Sequence, residues 1–316
     1  MRYLVTGGGG FIGSSTVDEL VRRGQDVVVL DDLSTGKAEN LADVTSQIEV
    51  LPYSITDLDR LRGACRGVDF VIHLAARTSV PQSMADPQDT NRVNVDGTLN
   101  VLVAARDAKV KRVVFAGSTA VYGNTQTLPT SERVPPAPIS PYGASKLAAE
   151  TYGQVFQRSY GLEFVSLRYF NVFGPRQDPG SPYSGVLSRF HAALLGETQP
   201  IVFGDGEQSR DFVYVGNVAE ANIMACEAKD AAGLAIIIGT GHRHTLNQTL
   251  TLLEKITGRP SKAKHAPARE GDIRDSQADI TLAKKVLGYN PRVEFEDGMK
   301  RTWEWFCASQ GSPTHV

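Results

Sequence analysis

Tyr142 and Lys146 stand four residues apart in Pro141-Tyr142-Gly143-Ala144-Ser145-Lys146, so on a helix they share one face. Proline suits the first turn of such a helix. A phenol with an ordinary pKa of about 10 is a poor base at neutral pH. A cation one turn away favours the phenolate and makes the phenol a usable proton acceptor. Ser118 follows the apolar run 113–116, which puts it at the carboxyl edge of a sheet, where open α/β folds bind ligands. From there its hydroxyl can bridge a substrate oxygen and the phenol. Spacing alone leaves a blander reading open: a tyrosine packed between helices, a solvated lysine and a serine in a turn.

A second chemistry lies in Thr6-Gly7-Gly8-Gly9-Gly10-Phe11-Ile12-Gly13. Glycines 8, 10 and 13 fit GxGxxG, and glycines 7, 10 and 13 fit GxxGxxG. In either register a backbone without Cβ turns tightly and lets a pyrophosphate approach the N–H groups of a helix N-terminus. Asp31-Asp32 ends the next apolar run, 18 residues after Gly13. An acid there hydrogen-bonds a ribose diol and repels a 2′-phosphate. Loop and acid together predict a dinucleotide cofactor, NAD rather than NADP. Its positive nicotinamide ring would join the lysine in favouring a phenolate.

Residues 3–6, 27–30, 71–74 and 113–116 are β-branched, continuous apolar runs bounded by Gly, Asp or Ser. They read as parallel strands covered on both faces. Helix-like segments 13–23, 56–62 and 90–108 lie between them, with Thr56 as the expected N-cap of the second. Strand then helix, repeated, predicts an α/β fold: a doubly wound parallel sheet of Rossmann type. After residue 170 a Gly/Pro/Ser-rich stretch breaks the rhythm. Residues 1–170 are expected to form the NAD-binding domain. Residues 171–316 form mainly a smaller C-terminal α/β substrate domain, with part of 212–240 packing back on the first.

Composition removes other classes. A formal net charge of −2 argues against a nucleic-acid partner. The three cysteines are odd in number and have no CxxC spacing, so neither a disulfide scaffold nor a thiolate zinc site is expected. No apolar run reaches about 18 residues, so no membrane span is expected. The chain enters a strand at once, leaving no room for a signal peptide, and the cytoplasm is the expected location. No metal is expected either: His242, His244 and His265 have no convincing third ligand. His73 reads as a satisfied core histidine. Trp303, Trp305 and Cys307 read as packing on a C-terminal helix, and the polar tail 309–316 as frayed.

The Gly-rich opening, Asp31, His73-Leu74-Ala75-Ala76, Asn94, Ser118 with Val121-Tyr122-Gly123, Tyr142 with Lys146, and Arg168-Tyr169-Phe170-Asn171-Val172-Phe173-Gly174-Pro175 form one pattern. It resembles the extended short-chain dehydrogenase/reductase family, and within it the UDP-hexose 4-epimerases, over nearly all of residues 1–306. The resemblance implies that Ser118, Tyr142 and Lys146 are catalytic. It implies NAD contacts from Gly7, Gly10, Phe11, Ile12 and Gly13, from Asp31, Asp32, Ser34, Thr35 and Gly36, and from Ser54 and Ile55. Leu74, Ala75, Ala76, Asn94, Tyr142, Lys146 and Tyr169 complete that set. For the UDP-sugar it implies Thr78, Ser118, Thr119, Asn171, Val186, Ile201, Phe203, Arg210, Arg269, Asp272 and Ser276. Two arginines suit a diphosphate, which a guanidinium matches bidentately. One departure is plain: where the family usually has Gly-Asp before Ile or Val, this chain has Tyr53-Ser54-Ile55. Ser54 accepts a weaker, uncharged hydrogen bond from adenine.

The implied reaction removes the 4-OH proton and the C4 hydride, lets the 4-keto sugar turn in its site, and returns hydride to the other face. Dehydratases and decarboxylases of the family carry acids directly after the Ser/Thr, and Thr119-Ala120 here cannot move those protons. UDP-glucuronate 4-epimerisation survives that test, whereas a non-catalytic NAD-sensing module is disfavoured because such modules typically lose the Tyr/Lys pair that this chain keeps. Similar proteins are homodimers paired through two helices. That pairing is expected here because 90–108 and 142–160 carry Val93, Val101, Leu102, Leu147, Val155 and Phe156. At the position of Ser276, similar enzymes restricted to plain hexoses carry tyrosine, and those accepting N-acetyl sugars carry a small residue. UDP-N-acetylglucosamine/UDP-N-acetylgalactosamine is the expected pair, with UDP-glucose/UDP-galactose also accepted.

Overall fold

β1 (Arg2–Thr6) buries both faces: Tyr3 and Val5 join one apolar cluster and Leu4 the opposite one. β2 (Asp26–Leu30) divides in the same way, Val27 and Val29 against Val28 and Leu30. Such two-sided burial is what continuous apolar runs require. The computed structural model describes residues 1–178, 185–268 and 273–310. β3 (Ile48–Leu51), absent from the sequence reading, is half-exposed and lies at the sheet edge. Glu49 interrupts its Ile-Glu-Val-Leu, so a search for continuous apolar runs passes over it. β4 (Phe70–His73), β5 (Arg112–Ser118) and β6 (Glu163–Tyr169) are buried along nearly their whole lengths.

Shorter strands follow: β7 (Asn171–Phe173), β8 (Ile201–Phe203), β9 (Ser209–Arg210) and β10 (Phe212–Tyr214). β11 (Ala235–Ile238), β12 (His244–Thr245) and β13 (Lys264–Ala266) complete the set. The main sheet has seven parallel strands in the order β11-β6-β5-β4-β1-β2-β3. This is a Rossmann sheet extended by one strand, and its order reverses between β1 and β4.

The helices are α1 (Phe11–Arg22), α2 (Leu58–Ala64), α3 (Val80–Ala85), α4 (Pro87–Asn91), α5 (Gly97–Asp107) and α6 (Pro141–Tyr160). After them come α7 (Val186–Leu195), α8 (Val215–Glu227), α9 (Leu246–Thr257), α10 (Thr281–Leu287) and α11 (Phe295–Gln310). α1 and α8 pack together on one face of the sheet. α2, α5 and α6 cover the other face. A third apolar cluster joins α7, α9, α11 and the short strands around Phe173, Phe190, Phe212 and Phe295. No described helix is long and apolar enough to cross a membrane.

Several expectations need correction. Asp57, not Thr56, caps α2, accepting from the Arg60 N–H at 3.1 Å; Thr56 instead donates its hydroxyl to Ser54 Oγ at 3.1 Å. The helix expected over 90–108 is interrupted by a π-turn, Arg92–Asp96. Val101, Leu102 and Phe156 are covered by the chain's own sheet-packing cluster, so they leave nothing for a partner to bury. Val93 and Leu147 are half-buried, and Val155 is 46% exposed. Cys307 is exposed on α11 rather than packed. Of the polar tail, 311–316 lie outside the described residues, while Ser309 belongs to α11.

Candidate active site

β5 ends on Ser118, whose Oγ accepts from Ala120 N at 3.1 Å and so caps the one-turn helix Thr119–Tyr122. The register of β5 on β6 sets Ser118 opposite Tyr169, two residues before Asn171. Ser140 caps α6 by accepting from Gly143 N at 3.1 Å, with Pro141 in the first turn. That start aims Tyr142 and Lys146 at the end of β5. The Ser118 hydroxyl lies beside the Tyr142 phenol, near enough to lower its pKa. Lys146 is 3% exposed and donates from Nζ to the Ala116 carbonyl at 3.0 Å.

The electrostatics differ from the expected lysine-assisted phenolate. Desolvation raises the Tyr142 phenol above its usual range, against a smaller lowering by the neighbouring Ser118 hydroxyl. The Lys146 ammonium lies 6.0 Å from the tyrosine ring centre and is directed at backbone instead. Burial pulls its pKa down to about 7. A lysine shifted in this sense favours the unfolded chain at neutral pH. Stability present above the ordinary value of 10.5 is lost as pH falls toward the folded value of about 7. With both proteins stripped of nucleotide, Lys146→Met is therefore expected to raise stability at pH 7 by about 3 kcal/mol, after loss of the Ala116 bond. The advantage shrinks as pH climbs through 10 and is gone well above 10.5, where the wild-type lysine is neutral in both states. Thermal melts across that range check it, and a variant less stable at pH 7 contradicts it.

The glycine loop fits a pyrophosphate cradle. Gly7 has φ +72°, and a Cβ there would lie 2.6 Å from Ala75 N. A Cβ on Gly13 would collide with the Gly7 carbonyl. Gly10 begins α1 with no side-chain cap, which leaves the N–H groups of the first turn, Phe11 and Ile12 among them, open to an anion. Asp31 is buried and shares its oxygens between Gly9 N and Leu33 N, each at 2.8 Å. A carboxylate so engaged still has acceptor capacity for a ribose diol. Gly36 packs under Gly9, while Asp32, Ser34 and Thr35 are exposed beside it. Ser54 accepts from Thr56, and Ile55 is buried against Gly97.

Leu74, Ala75 and Ala76 leave β4 half-buried beside that loop, with Leu74 N donating to Thr6 O at 3.0 Å. Asn94, in the π-turn, has both amide hydrogens engaged, on Arg77 O and Ser145 Oγ, each at 2.9 Å. Its Oδ1 accepts from Arg77 N at 2.7 Å. Asn94 therefore ties the 75–78 loop to α6. Tyr169 is buried and donates its hydroxyl to Asn222 Oδ1 at 2.6 Å, leaving its ring and backbone for contact. His73 is satisfied on both nitrogens. Thr98 donates to the Asn94 carbonyl at 2.6 Å and so accepts from Nε2 at 2.9 Å, which leaves Nδ1 to accept from Thr6 at 2.7 Å. Burial holds its pKa near 3, so it carries no proton at neutral pH.

On the sugar side, Asn171 Nδ2 donates to Asp211 O at 3.1 Å and to Ser276 Oγ at 3.3 Å. Ser276 is half-buried, its N–H bonded to Ser209 O at 3.0 Å. Arg210, on β9, donates to Ser209 O and Arg274 O. Thr119 donates to Tyr169 O at 3.1 Å. Thr78 is exposed before α3, Val186 opens α7, and Ile201 and Phe203 bound β8. Arg269 and Asp272 lie outside the described residues. Sequence reasoning missed Ser83, which accepts from Tyr142 N at 3.1 Å, and Arg77, which donates to Ser34 Oγ at 3.0 Å. Neither has a spacing that signals it. Among the described residues no group of three His, Cys, Asp or Glu side chains is placed to hold a metal.

Residues 3–239 match the NAD dependent epimerase/dehydratase family. A UDP-glucose 4-epimerase of Mycolicibacterium smegmatis is 40% identical over 311 residues, covering 97% of this chain and 98% of that one. The UDP-glucose 4-epimerase of Thermotoga maritima, solved with UDP-glucose, has a TM-score of 0.93 and 40% identity, covering 98% of this chain and 100% of that one. A UDP-N-acetylglucosamine 4-epimerase from Methanobrevibacter ruminantium, solved with UDP-N-acetylmuramic acid, has a TM-score of 0.94 and 39% identity, with 98% of each chain covered.

Proposed function

As a member of the NAD dependent epimerase/dehydratase family, this chain uses NAD and is a UDP-sugar 4-epimerase or a related enzyme, and from that premise we propose that it interconverts C4 epimers of UDP-hexoses, the N-acetylated pair foremost. The carrying observation is the placement of the Ser118 hydroxyl beside the Tyr142 phenol at the end of β5, with Lys146 buried one turn behind. Bound NAD supplies a hydride acceptor that later gives the hydride back, so no net oxidation results.

Tyr142 and Ser118 take the 4-OH proton as a pair, the hydroxyl of Ser118 bridging sugar and phenol. Arg210 and Arg269 hold the diphosphate, and Asn171 the sugar. Thr119-Ala120, following Ser118, offers no acid or base for dehydration. The small Ser276 beside Asn171 favours a pocket with space at the sugar's C2. Incubation with a panel of UDP-sugars, with products identified by NMR, tests the reading. Appearance of C4 epimers supports it, and none from any member of the panel overturns it.

We also propose a homodimer paired through α5 and α6. Tyr152 and Val155, three residues apart on α6, are 42% and 46% exposed, an apolar stripe that an isologous helix pair would cover. Light scattering at micromolar concentration is expected to give twice the chain mass. Tyr152→Asp with Val155→Asp is expected to halve it; a monomeric wild type refutes the pairing.

A further inference from the structure

We propose that Arg168 is a positioning residue of the active site: with Glu150 and Tyr122 it fixes how α6 meets the end of β5, and thereby the Ser118–Tyr142 geometry. The inference rests on the catalytic reading of that pair. Glu150 lies one helical turn beyond Lys146 and two beyond Tyr142, on the same stripe of α6. Arg168, on β6, donates from Nε to Glu150 Oε2 at 3.0 Å and from Nη2 to Glu150 Oε1. Ser166 donates to the same carboxylate at 2.7 Å. The remaining guanidinium nitrogen donates to the Tyr122 hydroxyl at 2.6 Å. Tyr122 ends the turn that Ser118 caps. One guanidinium thus grips the helix that carries the phenol and the turn that carries the serine.

Stability does not account for this pair. The side chains of Arg168 and Glu150 are only 6% and 3% exposed. At such depth desolvation consumes most of the Coulombic gain, and apolar residues of similar volume serve stability equally well. Packing already sets the distance of the helix from its neighbours. A Cβ on Gly143 would lie 2.6 Å from the Ala120 carbonyl, and one on Gly153 would collide with the Phe164 ring. Apolar contacts are non-directional and leave rotation and slide of α6 loosely set. A bidentate guanidinium–carboxylate fork is directional, and it fixes those two freedoms where they aim the phenol.

The test replaces both charges at once, Arg168→Met with Glu150→Met, so that neither is left buried alone. The KM for the UDP-sugar is expected to hold and the melting temperature to fall only by what the unpaired Ser166 and Tyr122 hydroxyls cost, while kcat falls about 10- to 100-fold, the cost of roughly 1 Å of misalignment. Arg168→Lys, which keeps the charge but not the fork, is expected to lower kcat likewise at unchanged KM. Wild-type kcat in the double variant overturns the proposal. If that variant does not fold, wild-type kcat in Arg168→Lys overturns it instead. Reduction of bound NAD by substrate, followed by the absorbance of the reduced cofactor, reads the first step alone. A wild type that reduces NAD without forming epimers therefore defeats the proposed function and leaves this test in force.

Discussion

Tyr142→Phe is expected to lower kcat by about 10²- to 10⁴-fold while NAD content and melting temperature stay at wild-type values. The substitution removes one oxygen. The ring keeps its place, because α6 is held by the Ser140 cap and by Tyr142's own N–H on Ser83, neither of which involves the phenol. Lys146 keeps its acceptor, since it donates to Ala116 O rather than to the phenol. Ser118 Oγ still accepts from Ala120 N. The loss is therefore chemical. Ser118→Ala leaves the phenol in place and is expected to cost less. NMR of product formed over a fixed time measures both variants, and near-wild-type turnover by Tyr142→Phe sinks the mechanism.

The phenol also shows where sequence reasoning stops. Tyr142 and Lys146 were legible because a helix converts a four-residue spacing into one face. The direction of the lysine was not, because Ala116 O reaches it from another element through a backbone carbonyl. The parallel strands were legible wherever both faces are buried, as at Tyr3, Leu4 and Val5. β3 was lost because it is a short edge strand whose apolar run Glu49 interrupts, with Glu49 and Val50 both exposed. The six apolar residues assigned to a partner surface illustrate a complementary limit. Hydrophobicity reports that a side chain is covered, not by what: Val101, Leu102 and Phe156 cover this chain's own sheet. Asn94 was found by its motif, but its hydrogen bonds are spent on Arg77 and Ser145. Arg168 stood in a quoted motif with no role until Glu150 and Tyr122 were seen beside it.

Ser276→Tyr is expected to abolish turnover of UDP-N-acetylglucosamine and UDP-N-acetylgalactosamine and to spare UDP-glucose and UDP-galactose. The backbone on which residue 276 rides has little freedom to yield. Ser276 N donates to Ser209 O at 3.0 Å, and Ala278 N donates at 3.0 Å to Asp211. That aspartate is itself buried and held by Thr240 and Gly241. On the other side Thr130 N donates to Gln277 O at 2.8 Å. In the rotamer of the present Oγ, a tyrosine at 276 extends toward Asn171. The bond given up, 3.3 Å from Asn171 Nδ2, is long and costs little. What the ring removes is volume beside the sugar's C2 substituent. A clash excludes strongly, whereas empty space only weakly penalises the smaller sugar, so the two pairs should separate by about 100-fold or more in kcat/KM. Parallel NMR assays of both pairs on wild type and variant decide the matter. Equal loss on both, or no loss on either, means that Ser276 does not border the C2 substituent.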